Sequence, residues 1–288
     1  MPKLKAIDIS PETRYQNAAI NYYLALTNSS YLHYGYWEPL PTSVDELTIA
    51  RLRIAQEAYT AKLLDFIPNT VTTILDVGCG MGGNAAYLLE HGFAVEGLAP
   101  DPLQQEQFLK RTNGQSIFHL TTFEAFKTTS CYDLILLSES SQYIAPVDIA
   151  QCALSLLKPG GYLLIADMMR LDANYKEGIF SNCHVITELQ TALEQAGFIS
   201  VRTEDISLQI APTIDLCVDH FQRFGLSTFT YVGDLVAIAV PPLYKLLSWV
   251  YSRWGRHLVV EGLNSRQIFE QHLCYQIQLW QLSKPNQI

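Results

Sequence analysis

From residue 72 onward the chain alternates short apolar runs with helix-like stretches, and no other feature constrains its fold as strongly. TTILDV (72–77), AVEGL (94–98), SIFHL (116–120), YDLILL (132–137), YLLIAD (162–167) and ISVRTEDIS (199–207) read as strands. Between them NAAYLLEH (closed by Gly92), PLQQEQFLKRT, VDIAQCALSLL and TELQTALEQA (closed by Gly197) carry helical spacing. Strands that are apolar on both faces and separated by helices predict a mostly parallel sheet covered on both sides. A hydrophobic fraction of 49% over 288 residues supplies a core for one large domain, or for a core with an appended cap.

Ahead of the sheet, VDELTIARLRIAQEAYTAKLLDFI (44–67) repeats apolar residues at helical spacing up to Pro68 and predicts one amphipathic helix. Beyond residue 208 the rhythm changes to helices rich in aromatic side chains, and LCYQIQLWQL (273–282) reads as a last strand. The expected division is an N-terminal lid with helices (1–68), a core (69–212), a helical cap inserted over the sheet (213–260) and a return to the sheet (261–288).

Acidic residues outnumber basic ones 28 to 19, and no Lys/Arg cluster supplies the counterion-displacing surface of a duplex binder. Nucleic acid is therefore not expected as a partner. The cysteines at 79, 131, 152, 183, 217 and 274 show neither C-x-x-C nor zinc-ligand spacing, and Asp and His do not cluster. Reduced, mostly buried thiols, no metal site and a cytoplasmic protein are the expectation. MPKLKAIDISPETRYQN lacks the apolar run of a signal peptide. LVAIAVPPLYKLLSWVY (235–251) is broken by Pro241-Pro242 and Lys245, short of the ~20 uninterrupted residues of a spanning helix.

Gly78, Gly80 and Gly83 spell G-x-G-x-x-G after the first strand. On its own this fits a dinucleotide fold equally well. Asp76, two residues before the first glycine, argues against a pyrophosphate, which it would repel, and for a ligand with an α-ammonium group. Gly82 makes the run G-C-G-M-G-G, and LLKPGGYLLIAD (156–167) sets a Pro-Gly-Gly turn before the fifth strand.

ILDVGCGMGG, YDLILLSES and LLKPGGYLLIAD together resemble the defining motifs of class I S-adenosylmethionine-dependent methyltransferases, in order and spacing, over roughly residues 70 to 208. The resemblance implies a Rossmann-like, seven-stranded sheet with an antiparallel last strand. It implies S-adenosyl-L-methionine as cofactor, its amino-acid end at Asp76, Gly78, Cys79 and Gly80. Where the family usually carries an acid at the end of strand two, this chain has Ala99, preceded by Leu98. Tocopherol, sterol and cyclopropane-type members resemble this pattern and place a glutamine five residues on, which makes Gln104 the ribose candidate and Asp101 its competitor. Asp101 reads equally well as a helix cap. By the same resemblance Thr122 and Phe123 stand at the adenine edge, with Phe123 equally readable as core, and Ser138 closes strand four beside the cofactor.

ALTNSSYLHYGYWEP (25–39) resembles the lid of small-molecule methyltransferases of the tocopherol, sterol and sarcosine types. Aromatic faces attract a sulfonium, so Tyr22, Tyr34 and Tyr36 are candidates, with anchoring of the extension as the other reading. The cap residues Phe221, Phe224, Phe229, Tyr231, Tyr244, Trp249, Tyr251 and Trp254 suggest a small apolar or aromatic acceptor of terpenoid, alkaloid or polyketide type. A membrane-surface or dimer contact through 235–251 is the competing reading of the same residues.

Methyl transfer is an in-line displacement, in which alignment can supply ~7–11 kcal/mol. A nitrogen acceptor needs little more, whereas oxygen or carbon needs a base. Glu139 and Tyr143 of SESSQYI are the expected catalytic residues, with His33 and His220 behind them. Nitrogen or oxygen is the expected acceptor atom, with carbon of an isoprenoid or aromatic ring as the alternative. An NAD-linked oxidoreductase and a catalytically silent cofactor-binding protein are the readings from other classes.

Overall fold

The computed structural model describes residues 23–176 and 178–283, apart from the side chains of Trp254 and Leu258. Tyr22 and the Trp254 ring therefore lie outside the described part of the protein. Seven strands form one sheet: β1 Thr73–Val77, β2 Ala94–Ala99, β3 Ile117–Leu120, β4 Tyr132–Ser138, β5 Leu157–Arg170, β6 Phe198–Asp205 and β7 Leu273–Leu282. Their spatial order is β3-β2-β1-β4-β5-β7-β6. Neighbours are parallel from β3 through β5, and β7 runs antiparallel to both β5 and β6.

The helices are α1 Ile49–Leu64, α2 Gly83–Glu90, α3 Pro102–Arg111, α4 Pro146–Leu156, α5 Ile186–Gln195 and α6 Ser207–His220, followed by α7 Ser227–Ala239, α8 Pro241–Val250, α9 Arg256–Leu263 and α10 Ser265–His272. Adjacent strand residues point to opposite faces, and both faces are covered here. Ile74, Leu134, Leu136, Leu164 and Met168 pack with Tyr59 and Leu63 of α1 and Ile210 and Ile214 of α6. Leu75, Ile135, Leu137, Leu163 and Ile165 pack on the other side with Ile149 and Ala153 of α4 and Leu189 and Leu193 of α5. Burial on both faces is why these strands read as continuous apolar runs.

The single helix expected over 44–67 is divided. A short turn at Val44–Glu46 precedes α1, because the Thr48 hydroxyl accepts from the Arg51 N–H and caps a fresh helix start. Strand β5 is longer than residues 162–167 because β7 pairs with it from Tyr162 to Arg170. All six thiols are free, but Cys131 and Cys217 are exposed, so the expectation of mostly buried thiols holds for only half of them. The helical region between β6 and β7 runs from Ser207 to His272, wider at both ends than 213–260. No helix among the described residues is long and apolar enough to cross a membrane.

Candidate active site

Chain connections leave β1 toward β2 on one side and β4 on the other, and a crevice opens at such a switch point beyond the strand ends. A cavity of about 540 Å³ lies there, within the size range of small-molecule sites. Its walls are the segments after β1 (Gly78, Cys79, Gly80), β2 (Ala99, Asp101, Gln104), β3 (Thr122, Phe123) and β4 (Ser138, Glu139, Tyr143), roofed by the lid at Tyr31, Leu32 and His33.

The segments after β1 and β4 touch directly. Ser140 Oγ donates to the Val77 carbonyl at 2.6 Å, and the Gly78 N–H donates to Leu98 O at 2.8 Å. Gly78 has φ = 71°, in the left-handed region. A Cβ there would sit 2.3 Å from Ser140 Cβ. Only glycine lets these two loops meet.

Glu139 follows β4 with φ = 54°, uncommon for a residue bearing a Cβ. Its Oε1 accepts from the Tyr34 N–H and from the Tyr275 hydroxyl, both at 2.8 Å. Desolvation by the surrounding walls, with the Asp167 carboxylate acting in the same direction, pushes its carboxyl up to about 8 against those two hydrogen bonds. The hydroxyls continue as a chain: Tyr275 lies 2.8 Å from Tyr59, and Tyr59 lies 3.1 Å from Ser138 Oγ. With Tyr275 donating to the carboxylate, Tyr59 donates to Tyr275 and Ser138 to Tyr59. The chain thus starts and ends on cavity-lining residues.

Asp76 is not a wall residue. It is 1% exposed, two residues below the glycine turn, and its Oδ2 is sealed without a hydrogen-bond partner among the described residues. Its carboxylate lies near the end of β1, below the glycine turn, rather than on the cavity wall itself. Desolvation pushes its carboxyl up to about 7. From the ordinary carboxylate range to about 7, the folded chain therefore holds a proton that the unfolded chain has lost, and stability falls as pH rises through that window. Asp76→Asn, which does not titrate, gains on the parent by on the order of 3 kcal/mol between pH 4 and pH 8. Urea unfolding of both proteins at the two pH values checks this, and a gap independent of pH contradicts it.

Asp101 caps α3, its Oδ1 accepting from Leu103 N at 2.7 Å. Its Oδ2 is buried without a partner among the described residues while the residue lines the cavity. Such orphans are rare, and a hydroxyl-bearing ligand in this cavity is a natural partner. Gln104, one turn on and half-buried, lines the same wall. Thr122 is exposed and caps the next turn at Ala125 N. Phe123 is both cavity wall and core, 2% exposed.

The lid is stitched to α1 and α6. Gln56, fully buried, donates to the His33 carbonyl at 2.7 Å and the Tyr23 hydroxyl at 2.6 Å and accepts from Ser29 Oγ. Trp37 Nε1 donates to Thr213 Oγ1 at 2.8 Å. His33 Nδ1 lies 2.7 Å from the Tyr34 carbonyl, which can only accept, so this nitrogen carries the hydrogen. Its Nε2 faces Asn84 and Thr60. Burial pushes its pKa down to about 4, so the ring is neutral near pH 7. Its placement holds the lid against α1 and α2.

Tyr34 meets the site through its backbone N–H while its ring packs edge-on against Tyr275. Tyr36 lies under Lys62 Nζ, away from the cavity. Tyr143 is 65% exposed at the cavity mouth. His220 caps its own helix at the Leu216 carbonyl. No described residue of 213–260 lines the cavity. The aromatic-rich cap does not build this pocket; instead Phe224, Phe229, Tyr231 and Trp249 stand at the surface, each more than half exposed. Tyr275, Tyr59, Asn84 and Gln142 escaped sequence reasoning. Tyr275 lies 136 residues from Glu139 and carries no local motif. The unusual polarity of Gln56 and Thr60 inside an apolar helix face was the one available signal for the α1 contribution.

Residues 51–222 match the family model described as "Methyltransferase domain". The chain is similar to Methyltransferase GfsG of Streptomyces halstedii, at 28% identity over 63% of this chain and 70% of that protein. It is also similar to the Ubiquinone biosynthesis O-methyltransferase of Rickettsia prowazekii, at 29% identity over 49% of this chain and 53% of that one. The chain thus spans little more than half the length of some of its curated relatives. Among solved structures, that of the [4+2]-cyclase SpnF superposes with a TM-score of 0.70 at 15% identity, covering 95% of this chain and 96% of that one. A fold is shared there, and a fold alone does not settle chemistry.

Proposed function

This chain belongs to the methyltransferase-domain family, as an S-adenosyl-L-methionine-dependent enzyme of small molecules, and on that premise we propose that it methylates a hydroxyl oxygen of a largely apolar acceptor. The carrying observation is Glu139: a carboxylate on the cavity wall, fixed by two donors on one oxygen and with its pKa raised to about 8. A base near the working pH is what a hydroxyl needs and an amine does not. The name of the Rickettsia relative, an O-methyltransferase, agrees with this reading.

The cofactor fits the residues present. Gly78, Cys79 and Gly80 form a cradle free of side-chain bulk at the first glycine, and the cavity wall carries the orphaned Asp101 oxygen. When bound, it supplies the methyl group on a sulfonium. We assign its amino-acid end to the Gly78–Gly80 backbone, with Asp76 beneath adding negative potential, its ribose to Asp101 and Gln104, and its adenine to the Thr122–Phe123 edge beside Leu98 and Ala99. On the acceptor side, Tyr31, Leu32, Met81 and Ile144 offer apolar walls. Glu139 takes the hydroxyl proton, and the Tyr275–Tyr59–Ser138 chain holds its carboxylate in place.

Asp101→Asn keeps the helix cap but removes the charge; S-adenosylhomocysteine is expected to bind about tenfold more weakly by calorimetry, with thermal stability unchanged. Gln104→Ala should cost about fivefold. Equal affinity in both variants moves the ribose elsewhere. The acceptor atom is tested by incubating the chain with methyl-labelled S-adenosyl-L-methionine and three matched prenylated aromatics bearing a free phenol, an amine or a blocked ether. Label appearing as an O-methyl ether supports the reading; label on nitrogen, or on ring carbon of the blocked ether, overturns it.

A further inference from the structure

We propose that the α7–α8 hairpin docks this protein onto an anionic lipid surface. The hairpin is antiparallel: the Phe229 and Tyr251 rings lie 5.4 Å apart, and Tyr244 crosses beside Gly233. Its turn at Val240–Pro241 therefore forms the tip. Neither helix has a buried residue, although the tip reads LVAIAVPPLY (235–244), ten residues without a charge. Ile238 is 80% exposed, and Leu235, Val240, Leu243, Leu246 and Leu247 are each more than two-fifths exposed. A helix apolar all round normally lies inside something, and no described part of this chain covers this one.

Charge identifies the cover. Residues 224–256 carry three basic residues and one acidic, Lys245, Arg253 and Arg256 against Asp234, whereas the rest of the chain carries sixteen basic and twenty-seven acidic, and Arg223 just outside is paired with Asp219. Lys245, Arg253 and Arg256 are exposed and form no ion pair among the described residues. The first cation lies five residues behind the tip, about 7 Å along a helix. That distance matches the ~5–10 Å to which apolar helix faces sink into the headgroup boundary. An uncharged tip would enter the acyl margin while Lys245 meets lipid phosphates beside Asp234, and Arg253 and Arg256, further back, tip the balance by longer-range attraction. A symmetric pairing of two copies through this hairpin would instead set these cations against their own kind with one acid each to relieve them. The inference does not depend on which atom is methylated.

The test uses the full chain floated with vesicles of phosphatidylcholine alone or with added phosphatidylglycerol. Binding to the anionic vesicles is expected, weakening as salt rises. Ile238→Asp with Leu243→Asp should lower the bound fraction at least tenfold with an unchanged thermal melt, since both side chains are exposed. Lys245→Gln with Arg253→Gln and Arg256→Gln should abolish the preference for anionic vesicles and the salt dependence. Absence of vesicle binding by the parent chain overturns the proposal, as does binding that survives the tip substitutions. A sedimentation dimer that the tip substitutions dissociate, without vesicle binding, assigns the face to a second copy instead.

Discussion

Glu139→Gln lowers kcat on a hydroxyl acceptor by about 10²–10⁴-fold, the usual contribution of a positioned base, while S-adenosylhomocysteine binds with near-parental affinity. The amide keeps the shape of the carboxyl group and can still accept from Tyr34 N and Tyr275 Oη, so the loop after β4 stays in place. What it loses is the capacity to take a proton. In the parent the carboxyl is pushed up to about 8 by desolvation, reinforced by Asp167. The active form is the carboxylate, so the rate should climb with pH toward a plateau above about 8, and the variant should lack that limb. Tyr275→Phe separates base from support: it removes one donor from Oε1, which destabilises the carboxylate and shifts the limb upward in pH without erasing it. A Gln variant with parental kcat, or an unchanged pH profile in the Phe variant, would remove Glu139 from the chemistry.

Gly78→Ala is the second large effect. A methyl group there meets Ser140 Cβ at 2.3 Å and Ser140 Oγ at 2.9 Å, on a backbone with φ = 71°. The left-handed conformation costs an L-residue ~1–2 kcal/mol, and overpacking typically adds ~1–3 kcal/mol. A loss of about 2–5 kcal/mol in urea unfolding is expected, together with binding of S-adenosylhomocysteine weakened at least a hundredfold as the two loops part. Combining it with Ser140→Gly relieves the collision but not the dihedral cost. The double variant should therefore recover roughly half of the stability, and recovery of none would mean that the steric argument is wrong.

The crevice is legible in the primary structure because both ingredients are local. Apolar runs must bury both faces, which makes the sheet, and a glycine turn at the end of the first strand needs only a positive φ and an absent side chain. His33, Gly78, Cys79, Gly80, Leu98, Ala99, Gln104, Thr122, Phe123, Ser138, Glu139 and Tyr143 accordingly stand around one cavity. Tyr34 and Asp76 do not. Asp76 shows why: charge along the chain predicts an anion beside the ligand, but how deeply that carboxylate is buried is set by the elements packed over β1.

What is decided by local spacing alone is the sheet, its glycine loop and the family motifs, because each rests on residues a few positions apart. Three features came only from the folded molecule: Tyr275 and Tyr34 meeting on one oxygen of Glu139, His33 held neutral between α1 and the lid, and an aromatic hairpin standing outside the pocket it was expected to line. The first depends on contacts across more than a hundred residues, the second on how the lid packs on α1 and α2, and the third on what the folded chain leaves uncovered. Composition cannot tell an aromatic ring that faces a cavity from one that faces the outside, since burial belongs to the packed chain and not to the residue.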